Sequence, residues 1–230
     1  MTKTLITGGN KGLGREAARR LLADGHDVWL TARDAAKGRA AAEQLGARFV
    51  ALDVTDDASA TAAAERVAGE GGLDVLVNNA GILGPRNAVA EMTPDDLRLV
   101  FETNVLGIVR VTRAFLPLLE RSADPVIVNV SSGMGSLAVT NDPSRFESTL
   151  ISLAYPASKT AVNMLTTQYA KAFPKMRINA VDPGYTATDF NDHRGTKSVE
   201  QGAEIIVRMA KLDGSGPTGT FVEENGIVPW

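Results

Sequence analysis

Thr4-Leu5-Ile6-Thr7-Gly8-Gly9-Asn10-Lys11-Gly12-Leu13-Gly14 opens the chain with an apolar run and a glycine-rich turn, followed by Arg15–Ala23 at helical spacing. Glycines let a backbone turn sharply and approach a pyrophosphate, which the N-terminus of the next helix then stabilises. Alone, such a stretch is only a turn; the strand before it and the helix after it make it a binding loop. The spacing is Gly8-x-x-x-Gly12-x-Gly14, and no Gly-Lys-Ser/Thr ends it as in a P-loop. A dinucleotide is the ligand this favours, held by Gly8, Asn10, Lys11, Gly12, Leu13 and Gly14.

Outward from that loop, short apolar runs alternate with alanine-rich amphipathic stretches. Strands are predicted over Lys3–Thr7, Asp27–Ala32, Arg48–Leu52, Val75–Asn78, Pro125–Ser131 and Arg177–Val181. Helical stretches between buried parallel strands are the pattern of a doubly wound α/β sheet. Right-handed crossovers then bring the carboxyl ends of the strands to one edge, where ligands bind. With no linker, repeat or low-complexity segment, residues 1–230 are expected to form a single domain.

Composition narrows the function. The chain has 44% hydrophobic and 22% charged residues, a net charge of −3 and no cysteine. That balance offers no electrostatic attraction to nucleic acid or anionic lipid, and the cysteine count excludes disulfides and thiol chemistry. His26 and His193 are too few and too far apart to argue for a metal site, and are expected on the surface or in loops. No apolar run approaches the ~20 residues of a membrane span. The N-terminus enters its first strand without a signal peptide, so a cytoplasmic location is expected.

The ends of the later strands carry the candidate site. Dinucleotide folds that prefer NAD place a carboxylate at the end of the second strand to hold the ribose hydroxyls. Here Ala32 occupies that place and Arg33 follows, with Lys11 in the glycine loop as a second cation. Together they suit the 2′-phosphate of NADP, although Arg33-Asp34 also fits a solvated loop. Asp53-Val54 is placed to touch an adenine edge, and Asn78-Asn79-Ala80-Gly81 is small enough to pass close to a cofactor. Asn and Gly equally favour a plain turn there. Thr93-Pro94 and Ser198-Val199-Glu200-Gln201 read as helix starts. Asn104 falls inside a helical stretch, where a buried amide needs partners. Ser131 and Ser132 end the fifth strand. Residues 133–154 read as an irregular segment over one end of the sheet, and the loop after Asp182-Pro183-Gly184 is long enough to be a lid or substrate loop.

Tyr155-Pro156-Ala157-Ser158-Lys159 sets a phenol and an ammonium four residues apart, on one face of a helix. A nearby cation favours the phenolate, so the pair reads as a proton carrier tuned by a lysine. Such a pair is also ordinary surface chemistry; the rest of the chain decides.

Taken in order, these pieces resemble the short-chain dehydrogenase/reductase family over nearly the whole chain. Thr7–Gly14 resembles its cofactor loop, Asn78–Gly81 its central-strand motif, and Pro183-Gly184 the motif after the sixth strand. The resemblance implies a Rossmann fold with a seven-stranded parallel sheet, Gly219–Val222 being the last strand. It also implies a catalytic tetrad of Asn104, Ser132, Tyr155 and Lys159, with Ser132 preferred to Ser131. Gly9-Asn10-Lys11-Gly12 and Leu30-Thr31-Ala32-Arg33-Asp34 look like the family's NADPH-dependent carbonyl reductases, and Lys37 resembles a further basic position there. Asn79, Ala80, Gly81, Pro183, Gly184, Thr186 and Thr188 are implied cofactor contacts. Ser132, Met134, Phe146, Tyr155 and Tyr185 are implied substrate contacts, the last in a substrate loop over 185–200. One departure stands out: 22 residues separate Ser132 from Tyr155, more than in most members and fewer than in animal carbonyl reductases.

The implied chemistry is reversible hydride transfer between NADPH and a carbonyl or alcohol. Tyr155 would be general acid/base, Ser132 would polarise the carbonyl, and Lys159 would hold the nicotinamide ribose and depress the tyrosine pKa. Asn104 would position a water that relays protons. Reduction of a 3-oxoacyl thioester is an alternative, as is a non-catalytic NADP-sensing protein. Homo-oligomerisation is expected, with a monomer as the alternative.

Overall fold

The structure, a computed structural model, describes Met1–Trp230. Its strands are β1 (Lys3–Ile6), β2 (Asp27–Ala32), β3 (Arg48–Ala51), β4 (Val75–Asn78), β5 (Val126–Val130), β6 (Arg177–Val181), β7 (Phe221–Glu223) and β8 (Gly226–Ile227). They form one sheet in the order β3-β2-β1-β4-β5-β6-β7-β8. All neighbouring pairs are parallel except β7 and β8. From β1 the chain winds outward one way through β2 and β3, and from β4 the other way. The switch point therefore lies between the carboxyl ends of β1 and β4, where open α/β sheets bind ligands.

The helices are α1 (Gly12–Ala23), α2 (Ala35–Leu45), α3 (Asp57–Ala68), α4 (Pro94–Phe101), α5 (Gly107–Leu119), α6 (Leu137–Thr140), α7 (Ala154–Ala172) and α8 (Val199–Ala210). Successive strand residues point to opposite faces, and here both faces are covered. Ile6, Leu30 and Val128 pack with Ala17, Leu21 and Ile206 of α1 and α8. Leu5, Trp29 and Ile127 pack on the other face with Val67, Phe115 and Ala170 of α3, α5 and α7. Burial on both faces explains why these strands read as mainly apolar runs rather than as alternating ones. No helix is long and apolar enough to cross a membrane.

Four expectations change. The sheet has eight strands, not seven, because the chain turns back after β7 and pairs Val222 with Ile227 antiparallel; two residues are too few to show a period. The last parallel strand is Phe221–Glu223 rather than Gly219–Val222. Residues 133–154 are not wholly irregular: they hold the turn Gly133–Gly135, α6 capped by Ser136, and a turn over Phe146–Thr149. The loop after β6 ends at Ser198, whose side chain caps α8, so Val199 and Glu200 belong to the helix.

Candidate active site

The glycine loop is built by close approach. Gly8 and Gly12 have φ of 63° and 55°, in the left-handed region that favours glycine. Thr7 Oγ1 accepts hydrogen bonds from the N–H groups of Asn79 and Ala80, both at 2.9 Å. Asn79 Nδ2 donates to the Thr7 carbonyl at 2.8 Å. The loops after β1 and β4 are thereby joined across the switch point. α1 begins here with no side chain capping it, so its first N–H groups remain available to an anion.

A cleft of about 650 Å³ opens along this edge. Gly8, Asn10, Lys11, Gly12 and Leu13 line it from the first loop, and Arg33, Asp53 and Val54 from the ends of β2 and β3. Asn79, Ala80 and Gly81 follow β4, while Pro183, Gly184, Thr186 and Thr188 follow β6. Ser132, Met134, Phe146, Tyr155, Lys159 and Tyr185 complete the predicted set around the same cleft.

Three predicted residues fall outside it. Gly14 sits behind the loop, where a Cβ would come within 2.5 Å of Asn79 Nδ2, so the missing side chain lets α1 pack closely against the loop after β4. Lys37 lies on α2 and faces Asp34 at 3.7 Å. Asp34 itself caps α2, accepting from the N–H groups of Ala36 and Lys37, which explains a carboxylate directly after Arg33. Asn104 is fully buried in a π-turn, Glu102–Leu106, between α4 and α5. Its Nδ2 donates to the Ile82 carbonyl at 2.9 Å and to Ser158 Oγ at 3.0 Å, and its Oδ1 accepts from Ile82 N–H at 2.8 Å. With both side-chain donors occupied, Asn104 joins the loop after β4 to α7.

The reactive end follows β5. Ser131 is tied to Asn163 at 2.6 Å, whereas the Ser132 hydroxyl faces the Tyr155 phenol and favours its ionised form. Tyr155 is nevertheless pushed above its ordinary pKa, first by burial and further by the Asp182 carboxylate. Lys159 is not among the groups that shift it. The Lys159 ammonium donates to the Val130 carbonyl at 2.7 Å and lies 5.6 Å from the Tyr155 ring centre. Burial lowers its own pKa to about 8. A buried amide chain fixes α7 against the sheet: Asn78 Nδ2 donates to Asn129 Oδ1, and Asn129 Nδ2 to Thr166, both at 2.9 Å.

The sequence did not single out Arg15, Glu147, Asp182, Asp189 or Phe190, all of which line the cleft. Asp182 had one signal, its place directly before Pro183-Gly184. Asp189 pairs with Lys11 at 3.1 Å and with His193 at 3.0 Å across the mouth. Phe190 meets the Tyr155 ring edge-on at 5.6 Å, and Phe146 meets Tyr185 at 5.4 Å. His26 lies half-buried on the far side of the sheet, against Thr4.

Residues 2–198 match the family model described as short chain dehydrogenase. This chain belongs to the short-chain dehydrogenase/reductase family. Among relatives, it is 36% identical over 279 residues to Carbonyl reductase [NADPH] 1 of Pongo abelii, covering 100% of this chain and 99% of that protein. It is 39% identical over 220 residues to Short-chain dehydrogenase anuI of Penicillium roqueforti, covering 90% and 87%. Among solved structures, NADPH-bound carbonyl reductase from chicken fatty liver superposes with a TM-score of 0.86 at 28% identity, covering 100% and 99%. The chain is thus a short-chain dehydrogenase/reductase that resembles carbonyl reductases.

Proposed function

We propose that residues 1–230 form one NADPH-dependent unit that reversibly reduces a ketone or aldehyde to an alcohol. The observation that carries this is one cleft bringing the glycine loop together with Ser132, Tyr155 and Lys159. The cleft fits a dinucleotide on structural grounds: a Cβ on Gly8 would come within 3.2 Å of Ala80, and the N-terminus of α1 is uncapped. Gly8–Leu13 would hold the pyrophosphate, Asp53 and Val54 the adenine side, and Lys159 the nicotinamide ribose. Arg33, beyond the small Ala32, would hold the 2′-phosphate. Lys11 is already paired with Asp189, so Arg33 is the stronger candidate. NADPH supplies the hydride when bound.

Ser132 would hydrogen-bond the substrate oxygen and stabilise its developing charge. Tyr155, raised by burial, keeps its proton at neutral pH and would donate it to that oxygen. Lys159, with a pKa of about 8, is mostly charged at pH 7. Phe146, Tyr185 and Phe190 would exclude water and pack against an apolar substrate.

The test is NADPH oxidation with a panel of ketones, aldehydes, quinones and 3-oxoacyl thioesters. Ketones or aldehydes should be reduced by the wild type, and Tyr155→Phe should lower turnover at least ~100-fold, as for lost acid catalysis. Near-wild-type turnover in that variant removes Tyr155 from the mechanism. Activity confined to the thioesters would replace small carbonyls as the substrate class.

A further inference from the structure

One part of the cleft wall has charge that carbonyl reduction does not use. Asp182 is only 3% exposed, and its Oδ1 accepts from Gly184 N–H at 2.9 Å. Its Oδ2 is buried without a hydrogen-bond partner. The Gly133 N–H lies near enough to favour the ionised carboxylate without meeting hydrogen-bond geometry. Glu147 reaches the same place from the 133–154 segment. A Cβ on Gly133 would stand 2.9 Å from Asp182 Oδ2 and 2.7 Å from Glu147 Oε1. Both carboxylates therefore converge beside the residue that follows Ser132, and both line the cleft.

The chain supplies too little positive charge there. Arg145 divides its guanidinium between Glu147 at 3.4 Å and Glu223 at 3.2 Å. Lys159, the other buried cation nearby, feels the Asp182 charge but gives its hydrogen bond to the Val130 carbonyl. Burial, then the charges of Glu147 and Glu223, raise the Asp182 carboxyl. A buried carboxylate with one oxygen unpartnered is costly, and a bound cation with N–H donors would offset both charge and hydrogen-bond deficits. A hydroxyl would satisfy only the second. The facing walls, Phe146, Tyr185 and Phe190, are aromatic, and aromatic faces also attract cations.

We propose that the substrate is an amino ketone or amino aldehyde whose protonated amine seats between Asp182 and Glu147 while its carbonyl meets Ser132 and Tyr155. This rests on the carbonyl-reduction reading and names its substrate class. The ammonium donates to Asp182 Oδ2, and Glu147 supplies a second charge.

The experiment compares 1-methyl-4-piperidone with 4-methylcyclohexanone, two rings of similar shape of which only the first carries an ammonium. With NADPH at pH 7, wild-type kcat/KM should favour the piperidone at least ~10-fold, the scale of one charge-assisted hydrogen bond. Asp182→Asn and Glu147→Gln should each lower that ratio several-fold; Glu147 lies closer to the surface, so its variant serves if Asp182→Asn does not fold. A wild-type ratio near one, or a ratio unchanged by both substitutions, overturns the inference. Refusal of both rings while other ketones react also overturns it. Refusal of every carbonyl overturns the carbonyl-reduction reading, and this inference with it.

Discussion

Lys159 keeps a charge where burial disfavours it, and this gives stability a direction with pH. In the unfolded chain its ammonium titrates near 10.5, and in the native state near 8. Between those values the unfolded chain holds a proton that the native one has released, so stability rises with pH. From pH 7 to 9.5 this contributes about 2 kcal/mol. Tyr155 acts oppositely: raised above its ordinary value of 10, it keeps a proton that the unfolded chain loses, and stability falls again in strong alkali. Denaturant unfolding at pH 7 and 9.5 should show a larger gain in wild type than in Lys159→Met. Equal gains would mean that Lys159 titrates as it does in water. Cofactor choice gives a second prediction. If Arg33 holds the 2′-phosphate as proposed, wild type should prefer NADPH ~10- to ~100-fold, from about 1.5–3 kcal/mol for a charge-assisted contact. Ala32→Asp with Arg33→Ile should reverse it by offering a hydroxyl acceptor and repelling the phosphate. The ratio of kcat/KM for the two cofactors decides, and a double variant that still prefers NADPH would remove Arg33 from the assignment.

The turn Gly133–Gly135 sets the distance between β5 and α7. A Cβ on Gly135 would stand 2.7 Å from the Lys159 carbonyl carbon and 2.9 Å from its oxygen. Those are backbone atoms, which cannot swing aside, so Gly135→Ala must push the turn off α7. Overpacking of this kind costs about 1–3 kcal/mol, and a ~1 Å displacement of Ser132 from Tyr155 should lower kcat ~100-fold. A wild-type kcat in this variant would mean that the turn does not position Ser132. Elements of this kind mark how far the sequence could be read. The bounds of β2, β4 and β6 were legible because each is a mainly apolar run, buried on both faces, with a polar or charged residue at one end: Asp27, Asn78 and Arg177. β8 and α6 were not, since two and four residues are too short to show a period. Asn104 was visible as a buried amide, but not the π-turn that carries it or the partners that occupy it. Lys37 was placed by resemblance to a basic position of the family, and it faces Asp34 outside the cleft. Asp182 and Glu147 were missed because distant parts of the chain bring them together, and the one local signal, Asp182 before Pro183-Gly184, does not point to Glu147.

At the scale of the whole molecule, the strand order separates two kinds of charge. Arg33 follows β2 on one side of the switch point; Ser132 and Asp182 follow β5 and β6 on the other. The net charge of −3 conceals this separation of Arg33 from Asp182. Long-range contacts hold the two halves around the crevice: Thr7 bridges to the loop after β4, Lys11 to Asp189, and the Asn78–Asn129–Thr166 chain to α7. The arrangement has one chemical purpose in this account, moving hydride from the nicotinamide side to a carbonyl beside Tyr155. The direct measurement uses NADPH carrying deuterium on the transferring face of C4, with a reducible ketone or aldehyde, and follows the product by mass spectrometry. The account predicts an alcohol one mass unit heavier, with the label on the carbinol carbon and its formation at least ~100-fold slower in Tyr155→Phe. An unlabelled alcohol, or labelled product formed at the same rate by that variant, would contradict it.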